Sequence, residues 1–275
     1  MRTTKLAICV LASLLTASGC SKESTQPLPE APALPPAESL QIDLGFFQQP
    51  ARAPESAAPE TIFNWTNAVV RVLVINAFVD AALSPPFEAF EVALNTTPTL
   101  RQDGTWVWTY GVLEGGRTAR IDLEGVERSG KVEWSLYLTD SEAEPPLNHG
   151  LWFEGETTGN GEEGFWLFLD PRSSSSGNYA RLNWRVKAED DAELRLEALD
   201  RSEESFGDFV LYEVDRRDAR VTYHDASERS EFIAKWNTAT GAGSLVAPDY
   251  NQGAPACWNS EQQDIECSTV APGPR

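Results

Sequence analysis

Histidine is scarce: His149 and His224 are the whole supply in 275 residues. The motifs that histidine, serine and glycine build together are missing too. There is no Gly-x-Ser-x-Gly elbow, no His-Glu-x-x-His zinc pair and no glycine loop to cradle phosphate. His224 and Asp225 are sequence neighbours, which rarely puts a His and an Asp into triad geometry with any serine. His149 falls in Leu147-Asn148-His149-Gly150, a loop pattern. Basic residues are also few, 22 against 42 acidic ones, for a formal charge of −20. That balance argues against nucleic acid and anionic lipid as partners, and suits a solvated domain that meets cations or basic proteins. No catalytic residue, cofactor or metal ion is expected.

Acidic clusters exist without a metal pattern. Glu156-Thr-Thr-Gly-Asn160-Gly-Glu162 spaces oxygen ligands around glycines, but it does not match the EF-hand loop. Solvated turn charges are the simpler reading. Paired carboxylates for glycoside hydrolysis stay open, because their approach is set in three dimensions.

Met1 to Gly19 has the form of a secretory leader. Arg2 and Lys5 supply its charge, Leu6 to Leu15 its apolar core, and Thr16 to Gly19 its small residues. Ala17-Ser18-Gly19-Cys20 resembles a bacterial lipobox, with Ala17 in place of the usual Leu. The resemblance implies cleavage before Cys20 and lipid attachment to it; more than one acyl chain makes such an anchor stable. Ser21 after that Cys resembles outer-membrane sorting. Of the other cysteines, Cys9 leaves with the leader. In an oxidising compartment Cys257 and Cys267 pair as a disulfide, the alternative being two free thiols. Metal binding is disfavoured because they lack a second Cys/His pair. Residues 20–60 read as a tether with eight prolines between Ser21 and Glu60. Extended, it would hold a domain on the order of 100 Å from the membrane. Its one apolar patch, Ile42, Leu44, Phe46 and Phe47, would dock as a strand or bind a partner.

The longest apolar run of the mature chain is Thr61 to Leu83. Its length would cross about 30 Å of hydrocarbon. Arg71 and Asp80 argue against that, each costing roughly 2.5–3.5 kcal/mol near a span centre. The run reads as one buried helix, ended by Ser84-Pro85-Pro86. The alternatives are a membrane span or a strand pair through Val69–Val79. Asn64, Asn67 and Arg71 share one helical face, Asn76 and Asp80 another. Arg71 and Asp80 either pair in a ligand cavity or reach solvent. Phe87 to Leu94 is a second helix or the first strand.

Beyond it the period changes to two. Val132, Trp134, Leu136 and Leu138 alternate with polar neighbours; so do Ala180, Leu182, Trp184 and Val186. With Trp106–Leu113, Ala119–Leu123, Gly150–Glu156, Phe165–Leu169, Leu194–Leu196, Phe209–Val214, Arg220–His224, Phe232–Trp236 and Ser244–Val246, about eleven strands follow at near-regular spacing. Joints such as Asp103-Gly104, Ser129-Gly130, Gly159-Asn160-Gly161 and Thr240-Gly241 favour antiparallel neighbours. The expected fold is mainly β: an antiparallel meander curled into a barrel or half-barrel against the hydrophobic helix. The domain spans 61–267, followed by a tail, 268–275. Phe165–Leu169, apolar on both faces, should lie where the sheet is covered on both sides.

Several pieces together resemble an uncharacterised family of bacterial lipoproteins of Bacteroidota type. They are Trp106-Val-Trp-Thr-Tyr110, Leu151-Trp-Phe-Glu-Gly155, Leu182-Asn-Trp184, Trp236-Asn237 with Gly243, and Cys257-Trp258 followed by Asp264 and Cys267. The resemblance spans roughly Thr61 to Cys267. It implies envelope localisation, a terminal disulfide and a β-rich domain, and no catalysis. Asn259 stands where the family has an Asp, which weakens a carboxylate site there.

Trp106, Trp108, Trp134 and Trp184 are the candidate ligand-facing aromatics. They either line a packed core or form a platform for lipid or sugar. The leading expectation is a non-enzymatic outer-membrane lipoprotein that holds an apolar or amphipathic molecule inside its curled sheet. The others are a protein-interaction module with a filled core, and a glycan-active protein.

Overall fold

The computed structural model describes residues 29–48, 62–114, 117–172, 177–188 and 190–267. The leader, Cys20, residues 21–28 and 49–61, and the tail lie outside them.

Period-two alternation becomes a run of strands: Thr99–Leu100 (β1), Trp106–Glu114 (β2), Arg117–Arg128 (β3), Lys131–Asp140 (β4), Leu147–Thr158 (β5), Glu163–Leu169 (β6) and Asn178–Ala188 (β7). Asp191–Ala198 (β8), Phe209–Asp215 (β9), Asp218–Asp225 (β10), Ser230–Asn237 (β11), Gly243–Val246 (β12), Ala256–Trp258 (β13) and Asp264–Ile265 (β14) complete it. Fourteen strands form one antiparallel sheet in sequential order, and no pairing joins β14 back to β1 among the described residues. The eleven strands read from alternation are β2 to β12. The additional β1, β13 and β14 hold two or three residues each, too few to show a period. Ser129 and Gly130 turn β3 into β4 with φ of 54° and 80°. Those paired positive angles match the twist of the flanking strands.

One helix, Phe63–Ala93 (α1), lies against the inner face of the sheet. Trp65, Ala68, Val72, Ile75, Val79, Ala82, Pro86, Ala89, Phe90 and Ala93 form its buried stripe at three- and four-residue steps. The helix does not stop at Ser84: it runs through Pro85 and Pro86 and takes in the Phe87–Leu94 segment. Interior prolines cost about 3 kcal/mol through lost hydrogen bonds and ring clash. Burial of Pro86, Ala89, Phe90 and Ala93 offsets that cost, each large apolar side chain contributing about 1.5–3 kcal/mol. The Phe90 ring lies 6.1 Å from that of Trp166, and the Tyr110 hydroxyl donates to the Ala89 carbonyl at 2.5 Å.

α1 touches β2 near one end of the sheet and β12, β13 and β14 at the other. The sheet therefore curls far enough for both ends to reach one helix. The polar face Asn64-Asn67-Arg71 is the clasp. The Asn64 backbone N–H donates to Asp264 Oδ1 at 2.9 Å and its Nδ2 to the Cys257 carbonyl at 2.8 Å. Asn64 Oδ1 accepts the Tyr250 hydroxyl at 2.8 Å. Arg71 binds Asp249 at 2.6 Å, with Asn67 Oδ1 accepting from the same guanidinium at 3.0 Å. Arg71 and Asp80 are not a pair: Asp80 accepts from Asn76 at 2.6 Å. The Cys257–Cys267 disulfide, with Cα atoms 5.1 Å apart, closes a loop around β14.

The apolar patch ahead of the helix docks, though not as a strand. Two 3₁₀ turns, Ala37–Leu40 and Gly45–Gln48, bury Leu40, Ile42, Leu44 and Phe47 in the main core. Phe46 and Phe47 pack on Trp65 and Trp236 with centroids 4.9 to 5.8 Å apart. Packed chain thus begins by Ala31 rather than Thr61, and the stretch expected to act as a 100 Å spacer is partly core.

Tryptophan and glycine face each other across this sheet. Gly125 pairs with Trp134, Gly155 with Trp166, Gly164 with Trp184 and Gly243 with Trp258. Each indole covers its glycine, where a Cβ would collide with the ring. Curling crowds the inner face, and pairing the largest side chain with none relieves it. Phe165 and Leu167 are not covered by a second layer. They are half-buried on the outer face, where the Arg181 guanidinium lies 4.3 Å above the Phe165 ring.

Gly155→Ala would drive a methyl into the Phe165 carbonyl oxygen and the Trp166 ring. Urea unfolding should show a loss of about 1–3 kcal/mol, the usual cost of overpacking. Asn64→Ala should cost about 1–3 kcal/mol by leaving the Cys257 carbonyl and the Tyr250 hydroxyl without partners. The same unfolding series measures it.

Candidate functional site

The four tryptophans expected to face a ligand point to the inner face. Trp108, Trp134 and Trp184 are 2, 1 and 3% exposed, and Trp106 is half-buried against the same core. Trp108 and Trp134 meet at 5.7 Å, and Trp134 Nε1 donates to the Thr157 hydroxyl at 2.9 Å. Trp184 lies over Gly164 instead, with its Nε1 buried and unbonded. α1 and the 40–47 segment occupy the space that a ligand would need; all belong to one continuous apolar cluster. None of these four tryptophans lines either of two grooves at the surface of the described residues.

The larger groove, about 730 Å³, opens where β8 to β12 end beside Asn259 and Ser260. Its floor is Ala192, Val214, Ala219, Trp236 and Gly243. Strand register builds its rim. Arg185, Glu193, Glu213, Arg220 and Lys235 are successive cross-strand partners from β7 to β11. The row carries both signs, with two acids between basic ends: Arg185 binds Glu193 at 2.9 Å and Arg220 approaches Glu213 at 3.5 Å. Lys235 has no carboxylate within ion-pair distance among the described residues. Asp191, Asp215 and Asp218 meet at the mouth through the same register, and Arg216 donates to Asp215 at 3.0 Å. A short apolar floor under a rim of both charge signs fits peptide-like or zwitterionic groups. Sequence reading missed this site because its residues come from six strands, β7 to β12, and meet only through pairing.

The histidines sit apart. The His149 ring stacks on Tyr137 at 4.0 Å, and its Nε2 is 3.9 Å from the Glu124 carboxylate, which already binds Arg101 at 2.6 Å. Nearby Asp122 is buried at the outer face and accepts from Thr109 at 2.6 Å and Arg120 at 2.9 Å. Burial pushes the Asp122 carboxyl up, but the Arg120 and Thr109 hydrogen bonds and the Arg120 charge outweigh it, leaving the pKa below the ordinary value. His224 stacks on Phe209 at 4.9 Å, while Asp225 caps its own turn through Ser227 and the Glu228 N–H. The two are therefore not arranged as parts of a triad. In the calcium-like stretch, Lys131 binds Glu156 at 2.5 Å and Asn160 bonds Thr158 and Glu162 at 2.7 and 2.8 Å. Those oxygens close their own hairpin. Cys20 lies outside the described residues.

No protein-family model, no curated protein and no solved structure matches the chain.

The depressed Asp122 carboxyl contributes stability above its unfolded value of about 3.9 and loses it as pH falls through the folded value. Asp122→Asn should be less stable than the parent at pH ~7, with the two converging toward pH ~2 as the parent carboxyl protonates. Urea midpoints across that range test the sign; a constant gap would show that the charge is not the cause.

Proposed function

We propose that the chain is an envelope lipoprotein, anchored at Cys20 to the outer membrane, that acts as a non-enzymatic interaction module through its outer surface. One observation carries the choice over a ligand carrier. The inner face is filled by α1 and by Leu40, Ile42, Leu44 and Phe47, so its tryptophans are packing residues. Lipid attachment rests on the leader and on Ala17-Ser18-Gly19-Cys20. The disulfide suits an oxidising compartment. The pieces that resemble the Bacteroidota-type lipoproteins include Trp184, Gly155, Gly243 and Trp258, members of the tryptophan–glycine contacts. That resemblance therefore speaks for a shared fold more than a shared activity. The groove under Arg220 and Lys235 is the contact site we assign, and its partner is a peptide segment of an envelope protein.

Two measurements on protein purified from its own envelope test this. The intact mass of the mature chain should begin at Cys20 with acyl groups attached. Under native conditions the mass should include nothing further. A retained lipid-sized molecule would return the function to the inner face. In living cells, a photo-crosslinker replacing Lys235 should capture a protein that the same group at Glu228 does not. Equal capture at both positions would remove the groove from the proposal.

A further inference from the structure

α1 has a second apolar stripe that the sheet does not use. Phe63, Val70, Leu73 and Val74 are 52, 56, 45 and 69% exposed and lie on one side of the helix, with the small Ala77 and Ala81 continuing it. By length and composition the helix could cross a membrane. Its other face is committed to the sheet, so it can only lie along a bilayer. We propose that this stripe rests on the surface of the membrane that holds the Cys20 lipid, seated among zwitterionic headgroups of the phosphatidylethanolamine kind. The inference rests on the lipoprotein reading above.

The length of chain between Cys20 and packed protein argues for this occupant. Ala31 and Leu34 already pack against the core, so only residues 21–30 separate Cys20 from packed protein. Fully extended, they reach about 35 Å, less than the width of a domain this size, which is on the order of 45 Å. The chain also enters the packed body along α1: Leu40 to Gln48 and Asn76 to Phe87 face each other across the smaller groove. The helix that carries the stripe is thus the element beside which the anchored segment docks.

Charge and area favour lipid over the other occupants. The stripe is uncharged in a chain of net charge −20, so it is the window through which this acidic protein can approach a membrane without repulsion. The acidity around it selects zwitterionic over anionic headgroups. The four side chains expose on the order of 400 Å², about half of the ~800 Å² per partner in a stable dimer. A lipid-anchored chain needs no such area, because the anchor already confines it to the bilayer.

The test uses the full chain, purified with its lipid and reconstituted into phosphatidylethanolamine vesicles with a minor fraction of phosphatidylglycerol. Val74→Cys and, separately, Val70→Cys carry an environment-sensitive fluorophore, with Glu228→Cys as control. Cys20 is blocked by its thioether and Cys257 and Cys267 by their disulfide, so the new thiol takes the label. Emission at 74 and 70 should shift to the blue and lose intensity when the vesicles contain brominated acyl chains, and emission at 228 should do neither. An acylated chain whose label at 74 stays as wet as that at 228 would overturn the docking and leave the lipoprotein reading intact. A blue shift that follows protein concentration and not lipid, with a doubled native mass, would assign the stripe to a second copy and also overturn it. A mature chain without acyl groups would remove both readings together.

Discussion

A sheet that does not close on itself leaves two edges and one apolar face open to water, and here one helix packs on that face and reaches both ends of the sheet. α1 covers the inner face with a stripe of Trp, Val, Ile and Phe, reaches β2 with its C-terminal half, and holds β12 to β14 with its N-terminal half. Closure is a packing arrangement supplemented by Asn64, Arg71 and Tyr110, where a barrel would use a ladder of strand hydrogen bonds. The terminal strands β1 and β14 are two residues long; β14 is enclosed by the disulfide loop, and β1 pairs with only Trp106 and Val107 of β2. An edge as short as β14 offers little template for another strand.

The same crowding explains how large residues are distributed. An inward-curling sheet has less room on its inner face than on its outer one. Indoles fit there because glycines stand opposite them. The outer face carries charges of both signs and a few aromatic rings covered by arginine, as at Phe165 with Arg181 and Phe209 with Arg195. Tryptophan content is therefore a sign of curvature in this chain.

What could be read from the chain was whatever repeats with a fixed period. Strands β2 to β12 show alternation and are legible; β1, β13 and β14 are too short to have one. The turn between β9 and β10 escaped because Arg216, at φ 59°, takes the place where a glycine would have signalled it. Pro85-Pro86 read as a stop because local cost is visible in sequence and the burial of Phe90 that offsets it is not. Composition also misled at 31–48: proline marks a spacer, yet Leu40, Ile42, Leu44 and Phe47 find a core supplied by distant residues. The groove was illegible for a related reason, since Arg185 and Lys235 come near each other only after five strands have paired.

Strand pairing in this fold is local, each strand meeting the next, but the clasp is not: Asn64 and Asp264 are 200 positions apart. A chain made from its N-terminus at about 5–20 residues per second presents the helix some 10–40 s before its last partners exist. At the start of that interval both apolar stripes of α1 face solvent or whatever else is present. The growing meander can shelter one of them, strand by strand, starting from β2. The other has no strand to wait for.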